Sequence, residues 1–361
     1  MATTIPKGLL LKADPIASAF RDEVKSALAR SDRQCKLVGI LSTAATPSKF
    51  YAEFTQKQCL DLGVEFILKT TGSAADAMLT DGEGVEEAII EANEDDSVDG
   101  IMVYYPIFGA QQDHYLQQIV SPFKDVEGLH VKFHYNLYHN IRYLRPQSLL
   151  SPAIHKQEVP TVVEDQPPAG FVKSVLPCTP LAVVKCLEYT RVYNTILPYG
   201  DRAYGKTITV INRSEVVGRP LAALLANDGA RVFSVDIDSI QEYTKRPRLT
   251  SETQTQRFHP RHVVHPCTLT LQECLAQSDV VVSAVPNPNY KVQTEWLKDG
   301  CVCLNVAADK NFEKEVRGKA SLYMPTIGKV TIMMLIRNLL RLKEYREVLA
   351  ASESTTPAAS S

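Results

Sequence analysis

The chain has no strong excess of charge of either sign. Its 361 residues include 39 lysines and arginines against 41 aspartates and glutamates, so the formal net charge is −2. A nearly neutral surface offers no long-range attraction to nucleic acid or to an anionic membrane. No apolar run approaches the roughly 20 residues that a helix needs to cross a bilayer. These absences predict that the protein binds neither nucleic acid nor a membrane.

The sequence also lacks a paired-cysteine motif, and we expect no leader sequence. The eight cysteines form no Cys-x-x-Cys motif, and the first eleven residues lack the long apolar segment of a secretory signal. We therefore expect a cytoplasmic protein whose cysteines are unpaired and mostly buried. Cys301 and Cys303 alternate along an apolar strand pattern, so both point to one face. Core packing is favoured over a redox role, because free cysteine packs as a small apolar side chain.

The histidines give little support for a metal site. His130 and His134 have the spacing of one helix face, and His114 and His139 lie near them in the sequence. Neither a His-Glu-x-x-His motif nor a cysteine ligand accompanies them. We expect no metal, and polar roles on the surface or in a cleft for these side chains.

Alternating helical and strand patterns predict an α/β fold with two domains. Residues 1–176 form an N-terminal parallel-sheet α/β substrate domain, and residues 177–329 form a Rossmann-type dinucleotide-binding domain. The C-terminal helix, residues 330–349, packs back on the first domain. The Ser/Thr/Ala-rich tail, residues 350–361, is expected to be disordered. A chain of 361 residues is long enough for two separate cores.

Apolar periodicity predicts the individual elements. Helices are expected over residues 14–30, 48–62, 84–92, 181–191, 221–227 and 330–349. Strands are expected over residues 36–41, 64–68, 100–105, 207–211, 231–235, 279–284 and 301–306. Two polar stretches, near residues 147–174 and 245–265, are expected to be surface insertions. Pro180 should be the first residue of its helix, with Thr179 as its N-cap.

The second half contains a strand, a short loop, a helix and a second strand that ends in an acid, the pattern of a nucleotide-binding βαβ unit. The loop holds one glycine, Gly218, instead of the usual three. A helix N-terminus still offers free N–H groups to a pyrophosphate, Ser214 can donate a hydrogen bond, and Arg213 adds a positive charge. An ordinary strand–helix connection is the alternative interpretation.

Asp236 ends the second strand of this unit, 18 residues after Gly218. A carboxylate there accepts hydrogen bonds from the ribose hydroxyls of NAD and repels the 2′-phosphate of NADP. We therefore expect NAD as the cofactor. Asp238 is the second candidate for this role, and a simple helix N-cap is the structural alternative for Asp236. Ala284, Val285 and Pro286 end another strand, where a loop can contact the cofactor.

Five segments, in order, resemble motifs of the methylenetetrahydrofolate dehydrogenase/cyclohydrolase family. They are the Tyr-centred helix at Tyr51, Gly100-Ile-Met-Val-Tyr-Tyr-Pro106, Lys124-Asp-Val-Glu-Gly-Leu129, Pro177-Cys-Thr-Pro180 and Ile211-Asn-Arg-Ser-Glu-Val-Val-Gly-Arg-Pro220. The resemblance extends over about residues 13–349. It implies a two-domain α/β enzyme with a folate cleft between the domains, a reduced folate as substrate, and a homodimer.

Three departures from the bifunctional members narrow the resemblance. The position four residues after Tyr51, where those members have a lysine, is Thr55, and a glutamine is replaced by Tyr104. The glycine-rich C-terminal loop is reduced to Pro325-Thr-Ile-Gly-Lys-Val-Thr331. These differences are similar to those of the fungal, monofunctional, NAD-dependent branch of the family.

The chemistry explains how a dehydrogenase tolerates the loss of the lysine. Hydride transfer from the methylene carbon leaves a cation that the two substrate nitrogens stabilise, so the protein mainly orients two rings. Hydrolysis of the methenyl product requires water attack and proton management, which a cation at residue 55 would assist. Thr55 supplies no charge. Lys57 lies roughly 200° further around the helix axis and is a poor substitute.

The family motifs imply the roles of the site residues. Tyr51, Thr55 and Tyr104 are the candidate catalytic residues, and Tyr51 and Tyr104 line the folate cleft. Asp125 or Glu127 pairs with the amino and ring N–H groups of the pterin, and Glu127 is the first choice. The cofactor residues are Asn212, Arg213, Ser214, Val217, Gly218, Asp236, Ala284, Val285 and Pro286. A core aromatic for Tyr51 and a solvated acidic turn for the two acids are the alternatives.

These observations predict oxidation of 5,10-methylenetetrahydrofolate to 5,10-methenyltetrahydrofolate with NAD, without cyclohydrolase activity. The resemblance places this reaction in the one-carbon metabolism that feeds purine synthesis. A bifunctional dehydrogenase/cyclohydrolase, a non-catalytic NAD-binding regulator and a dehydrogenase for 2-hydroxy or amino acids are the alternatives. The last lacks a recognisable catalytic His–Asp pair.

Overall fold

The computed structural model describes residues 7–31, 33–151, 165–246 and 259–354. Within these ranges, no helix is both long enough and apolar enough to cross a membrane. Much of both polar stretches that the sequence predicts as insertions, and the end of the predicted tail, lie outside the described residues.

The first half of the chain contains a three-stranded parallel sheet in the order β3-β2-β4. Its strands are β2 (Lys36–Leu41), β3 (Glu65–Thr70) and β4 (Gly100–Val103), and a separate antiparallel pair is formed by β5 (Tyr143–Leu144) and β6 (Val172–Lys173). The helices are α1 (Asp14–Leu28), α2 (Thr46–Leu62), α3 (Gly72–Ala75), α4 (Val85–Glu94), α5 (Ala110–Ile119) and α6 (Val131–Tyr138).

The second half is built on an eight-stranded sheet in the order β1-β13-β12-β11-β7-β8-β9-β10. Its strands are β1 (Leu9–Leu10), β7 (Thr207–Ile211), β8 (Arg231–Val235), β9 (Ile240–Thr244), β10 (Val263–Pro266), β11 (Val280–Ser283), β12 (Val302–Asn305) and β13 (Leu322–Met324). The helices are α7 (Cys178–Tyr189), α8 (Gly218–Asn227), α9 (Leu271–Gln277) and α10 (Gly328–Ser354). Six neighbouring strands of this sheet run parallel: β1, β13, β12, β11, β7 and β8.

The predicted α/β class with parallel sheets is confirmed, and several boundaries agree to the residue. The strands predicted over 36–41, 207–211 and 231–235 are β2, β7 and β8. The predicted alternation of Cys301 and Cys303 is also confirmed, because both are buried with their Sγ atoms 3.7 Å apart. Short, continuously apolar strands of this kind are typical of a sheet covered on both faces.

Some local predictions are wrong. The helix predicted to start at Leu181 begins at Cys178 with Pro177 as N-cap, so Thr179 lies inside the helix and makes no cap. The prediction also missed strands β1, β5, β6, β9, β10 and β13 and helices α3, α5, α6 and α9. Strands β9 and β10 are antiparallel to their neighbours, and each is only partly buried, which leaves a weak apolar signal. Strand β1 pairs with β13, so the N-terminal residues contribute to the second sheet.

Helix α10 connects the two halves. It begins at Gly328, packs against α1 and α7, and continues to Ser354, through the start of the stretch predicted to be disordered. The Asn338 side-chain amide donates to the carbonyl oxygens of Val126 and Leu176, both at 2.9 Å. A buried amide that satisfies two backbone acceptors fixes the helix in one register. The C-terminal helix therefore holds the Lys124–Leu129 segment next to the start of α7.

Candidate active site

Two tyrosines meet at the carboxyl end of the first sheet. Tyr51 lies on α2, which has Pro47 in its first turn, and Tyr104 directly follows β4. Their ring centroids are 6.1 Å apart with an interplanar angle of 84°, an edge-to-face contact. Binding sites of α/β sheets lie outside the carboxyl ends of the strands. The structure thus brings together the two aromatic residues that the sequence predicts for the substrate cleft.

Thr55 lies one helical turn after Tyr51 and is completely buried. Its hydroxyl donates to the Tyr51 carbonyl oxygen at 2.8 Å, the usual back-bond of a threonine within a helix. The hydroxyl therefore has its hydrogen-bond partner within its own helix, and it carries no charge. Lys57 is exposed, in agreement with its predicted position on another face of α2.

The Tyr104 hydroxyl is buried and has no hydrogen-bond partner among the described residues. Burial raises the pKa of this phenol well above its ordinary value. The neighbouring Tyr105 hydroxyl is buried without a partner as well. Buried polar atoms normally have partners, so these two hydroxyls are groups that a bound ligand can satisfy. Tyr105 was not predicted as a site residue, because an aromatic residue at the end of a strand is not by itself specific to a site.

The two acids of the Lys124–Leu129 segment differ in their surroundings. Asp125 is buried and uses both oxygens on backbone amides: Glu127 at 3.1 Å, Gly128 at 2.9 Å and His130 at 2.8 Å. Burial raises its pKa to about 6, and these backbone hydrogen bonds oppose that rise. Asp125 therefore holds the turn in shape and has little capacity left for a ligand.

Glu127 is the acid with capacity for a ligand. Its Oε2 accepts a hydrogen bond from the Val103 amide at 2.9 Å. Burial raises its pKa to about 8, and the nearby Asp125 carboxylate adds to the rise. A carboxyl group tuned in this way exchanges a proton near neutral pH, which is typical of functional sites. The structure therefore separates a turn-forming Asp125 from an available Glu127.

Cys178 is a neighbour that the sequence prediction did not assign to the site. Its amide donates to the Glu127 carbonyl oxygen at 3.0 Å, and its thiol is buried beside Tyr51. Burial, followed by the charge of Glu127, raises the thiol pKa to about 12. Cys178 thus packs as a neutral side chain at the start of α7. The Pro177-Cys-Thr-Pro180 motif was the available signal, but it was used only for the family resemblance and for the start of the helix.

The cofactor loop between β7 and α8 is held in shape by its first residue. Asn212 has a positive φ of 87°, its Nδ2 donates to the Ala284 carbonyl oxygen at 2.9 Å, and its Oδ1 accepts from the Ser214 amide at 2.7 Å. The Ser214 hydroxyl in turn accepts from the Val217 amide at 3.3 Å. These bonds leave α8 starting directly above the end of β7.

Gly218 has to be a glycine for a packing reason. A Cβ atom built at this position would lie 1.6 Å from the Asn212 carbonyl oxygen, a distance that no side chain tolerates. The absence of the side chain lets the first turn of α8 contact the loop backbone. The helix N-terminus is therefore brought close to the strand, as a dinucleotide phosphate site requires.

Arg213 points towards the end of β8. Its guanidinium donates to the Ser234 hydroxyl and carbonyl oxygen at 3.1 and 2.6 Å, and to the Ser239 hydroxyl and carbonyl oxygen, both at 2.9 Å. Arg213 is one of the residues that the sequence predicts for the pyrophosphate site. The structure places its charge beside the turn of residues 236–239, which includes both candidate ribose acids.

A cleft of about 840 Å³ opens at this edge of the second sheet. It contains four of the predicted cofactor residues: Asn212, Asp236, Val285 and Pro286. Asp236 and Asp238 both line it and are both exposed. The remaining lining residues were not predicted and are mostly apolar: Ile211, Val235, Ile237, Ser239, Ile240, Cys267, Leu269, Leu271, Asn287 and Tyr290. An apolar cleft with acids at one rim fits an adenosine whose ribose hydroxyls face the acids.

Two of the histidines considered as metal ligands, His130 and His139, have structural contacts. The His130 Nδ1 accepts from the Lys132 amide at 3.2 Å as the cap of α6, and the His139 ring stacks on Tyr135. In the part of the chain that the structure describes, no group of three or more His, Cys, Asp or Glu side chains is arranged to hold a metal ion.

Comparisons with known proteins agree with this geometry. The family model of the tetrahydrofolate dehydrogenase/cyclohydrolase catalytic domain matches residues 11–127, and that of the corresponding NAD(P)-binding domain matches residues 177–249. Methylenetetrahydrofolate dehydrogenase [NAD(+)] from Saccharomyces cerevisiae is 48% identical over 306 residues, 85% of each chain. The protein of the same name from Schizosaccharomyces pombe is 43% identical over 335 residues, 92% of each chain.

A solved structure gives the same result. The structure of the NAD-dependent 5,10-methylenetetrahydrofolate dehydrogenase from Saccharomyces cerevisiae superposes with a TM-score of 0.80 at 43% identity, over 96% of this chain and 100% of that one. Identity at this level over nearly the whole length covers both the tyrosine site and the cofactor cleft. The chain belongs to the tetrahydrofolate dehydrogenase/cyclohydrolase family.

Proposed function

We propose that the protein oxidises 5,10-methylenetetrahydrofolate to 5,10-methenyltetrahydrofolate with NAD, and that it has no cyclohydrolase activity. The observation that carries the proposal is the buried, uncharged Thr55 beside the Tyr51–Tyr104 pair. Two relatives named as NAD-dependent methylenetetrahydrofolate dehydrogenases, 48% and 43% identical to this chain, support it.

Folate recognition rests on the first half of the chain. Tyr51 and Tyr104 provide the aromatic wall against which the substrate rings pack. Glu127 accepts hydrogen bonds from the amino and ring N–H groups of the pterin, since one of its oxygens is committed to Val103 and the other is available. The Tyr104 hydroxyl, which has no partner among the described residues, supplies a further polar contact.

The cleft at the second sheet fits NAD. Asp236 accepts the ribose hydroxyls, the start of α8 at Val217 and Gly218 faces the pyrophosphate with the positive end of the helix dipole, and Val285 and Pro286 form an apolar wall. When bound, NAD supplies the hydride acceptor. The negative charge of Asp236 disfavours the additional phosphate of NADP.

The residues of the site do little covalent chemistry. Hydride loss from the methylene carbon leaves a cation shared by the two flanking nitrogens of the substrate, so no protein base removes a proton in this step. Tyr51, Tyr104 and Glu127 fix the substrate ring, and orientation of this kind is the main contribution that proximity makes to a rate. Thr55 carries no charge and does not activate a water molecule. We therefore expect no hydrolysis of the methenyl product.

We infer the metabolic pathway, the compartment and the oligomeric state from the family. The reaction belongs to the one-carbon metabolism of the tetrahydrofolate pool, and methenyltetrahydrofolate is a precursor of the formyl group used in purine synthesis. We place the protein in the cytoplasm and expect it to act as a homodimer. Sedimentation of the purified chain tests the dimer, and fractionation of cells tests the compartment.

A paired cofactor assay tests the function directly. Purified protein is mixed with methylenetetrahydrofolate and either NAD or NADP, and the methenyl absorbance is followed. We expect rapid formation with NAD, much slower formation with NADP, and decay of the methenyl product at the rate of a protein-free control. Hydrolysis faster than in that control would contradict the assignment to a dehydrogenase alone.

A further inference from the structure

One short segment of the first half has side chains bonded at both ends of α8. This segment, residues 137–142, joins the end of α6 to β5 and is called the seam segment below. Asn140 within it has a positive φ of 57°, a left-handed conformation that asparagine tolerates better than most residues. The turn at Asn140 keeps the chain next to α8 instead of leading it away. Helix α8 carries the cofactor loop at its N-terminus.

At the loop end of α8, the seam segment contacts the cofactor loop through Tyr138. The Tyr138 hydroxyl donates to Glu215 Oε2 at 3.1 Å. The other oxygen of Glu215 pairs with Arg219, whose guanidinium lies 5.1 Å from the Tyr138 ring centroid. Glu215 and Arg219 flank the turn that starts α8. A side chain of the first half is therefore bonded directly to the cofactor loop.

At the other end of α8, the contact is a buried ion pair. Arg142 donates to Asp228 Oδ1 at 2.7 Å and to the Asn227 carbonyl oxygen at 3.2 Å, and the two charged side chains are only 11% and 9% exposed. The second oxygen of Asp228 accepts from the Tyr193 hydroxyl at 2.9 Å. Asn140 Oδ1 accepts from Arg142 Nε at 3.1 Å and so orients the guanidinium.

The first residue of the seam segment and its Asn140 make two further hydrogen bonds across the boundary. Asn227 Nδ2 donates to the Leu137 carbonyl oxygen at 2.8 Å, and Asn140 Nδ2 donates to the Pro260 carbonyl oxygen at 3.0 Å. A helix held at one end can pivot, whereas a helix held at both ends cannot. Ten residues of α-helix span about 15 Å, and the seam segment has contacts at both ends of that span.

We infer that the seam segment is a positioning device, in which Tyr138 and Arg142 set where the cofactor loop stands relative to the tyrosine site. The inference rests on the proposed function, because that function needs a hydride donor held by one half and an acceptor held by the other. Reaction rates are sensitive to displacements of about 1 Å between such partners. None of the seam side chains needs to touch either ligand for this effect.

Tyr138→Phe is the most informative variant, because it removes the hydroxyl bond to Glu215 and keeps the packed ring. Tyr189→Phe is the matched control, since Tyr189 is an exposed tyrosine on α7. Asp228→Asn is a second variant that breaks the ion pair at the other end of α8. It keeps the shape of the side chain, but it leaves Arg142 without its counter-charge, so folding is checked by thermal unfolding.

The first measurement uses the full chain without ligands. Hydrogen–deuterium exchange of the amides in residues 212–219 should become faster in Tyr138→Phe and stay unchanged in Tyr189→Phe. This exchange measurement does not depend on catalytic activity. Unchanged exchange in the cofactor loop of Tyr138→Phe overturns the inference.

The second measurement uses NAD and methylenetetrahydrofolate. In Tyr138→Phe we expect kcat to fall about tenfold, as for a modest loss of alignment, while the dissociation constant of NAD changes less than twofold. The primary isotope effect with a dideuterated methylene group should rise as hydride transfer becomes slower. A lower unfolding temperature with unchanged kcat would show a merely structural role and overturn the inference. If the wild-type chain does not reduce NAD at all, the proposed function fails. Hydrogen–deuterium exchange alone then decides whether the seam segment positions the cofactor loop.

Discussion

Replacement of Asp236 by serine should change the choice of cofactor, and the structure gives the reason. Asp236 stands at the end of β8 and lines the cleft of about 840 Å³. Arg213 is already bonded to Ser234 and Ser239, on both sides of this acid. The wild-type turn therefore presents a negative and a positive group together. Asp236→Ser removes only the negative one.

The expected magnitudes follow from elementary electrostatics. Two unit charges 4 Å apart interact by about 1 kcal/mol in water, and a phosphate monoester carries about −1.5 to −2 charges. Because Asp236 is exposed and salt screens the interaction, about 1.4 kcal/mol of repulsion is lost. The value of kcat/KM for NADP should then rise about tenfold. Loss of hydrogen bonds from the ribose to a charged acceptor should lower kcat/KM for NAD about tenfold or more.

The assay is initial-rate kinetics with both cofactors at two salt concentrations, and Asp238→Ser is the matched control. That variant makes the same chemical change two residues further along the same turn. The gain with NADP should be smaller at high salt, because Arg213 attracts the phosphate less there. If Asp238→Ser shows the effect and Asp236→Ser does not, the ribose acid is Asp238. If neither variant changes the ratio, selection by a carboxylate is refuted.

Three further changes test other parts of the site. Gly218→Ala should lower the unfolding temperature and weaken NAD binding, because its Cβ would meet the Asn212 carbonyl oxygen at 1.6 Å; calorimetry that shows wild-type stability and binding would contradict this. The double variant Thr55→Lys with Tyr104→Gln should accelerate methenyl hydrolysis above the protein-free rate, and no acceleration would mean that the missing cation is not what prevents it. Substrate binding should weaken as the pH falls below about 8, where Glu127 takes up a proton, and this pH dependence should be lost in Glu127→Gln; titrations at constant ionic strength check both.

The same carboxyl group predicts a pH effect on stability with a definite sign. The pKa of Glu127 is raised from 4.5 in an exposed chain to about 8 in the fold. The folded state therefore binds more protons than the unfolded state between these values, and its stability should decrease as the pH rises through this window. Glu127→Gln should reduce that decrease in urea unfolding from pH 5 to pH 9. An equally steep decrease in the variant would assign the effect to other groups.

The sequence alone determined those features that depend on neighbours along the chain. Strands β2, β7 and β8 were predicted to the residue, because short apolar runs between turn residues are local signals. The family motifs, the absent lysine at Thr55 and the acid after β8 are likewise linear patterns. Strands β9 and β10 were missed, because they are partly polar and owe their structure to pairing with β8 and with each other.

Only the tertiary structure decided which role each candidate residue can have. Asp125 and Glu127 are two residues apart and equivalent as letters, yet backbone amides occupy both oxygens of the first and leave one oxygen of the second available. Arg213, which the sequence predicts for the phosphate site, has its guanidinium hydrogen-bonded to Ser239. Tyr138 had no sequence signal at all, and its partner Glu215 is 77 residues away. Hydrogen bonding, burial and charge act through distances in space, and those distances exist only when the chain has folded.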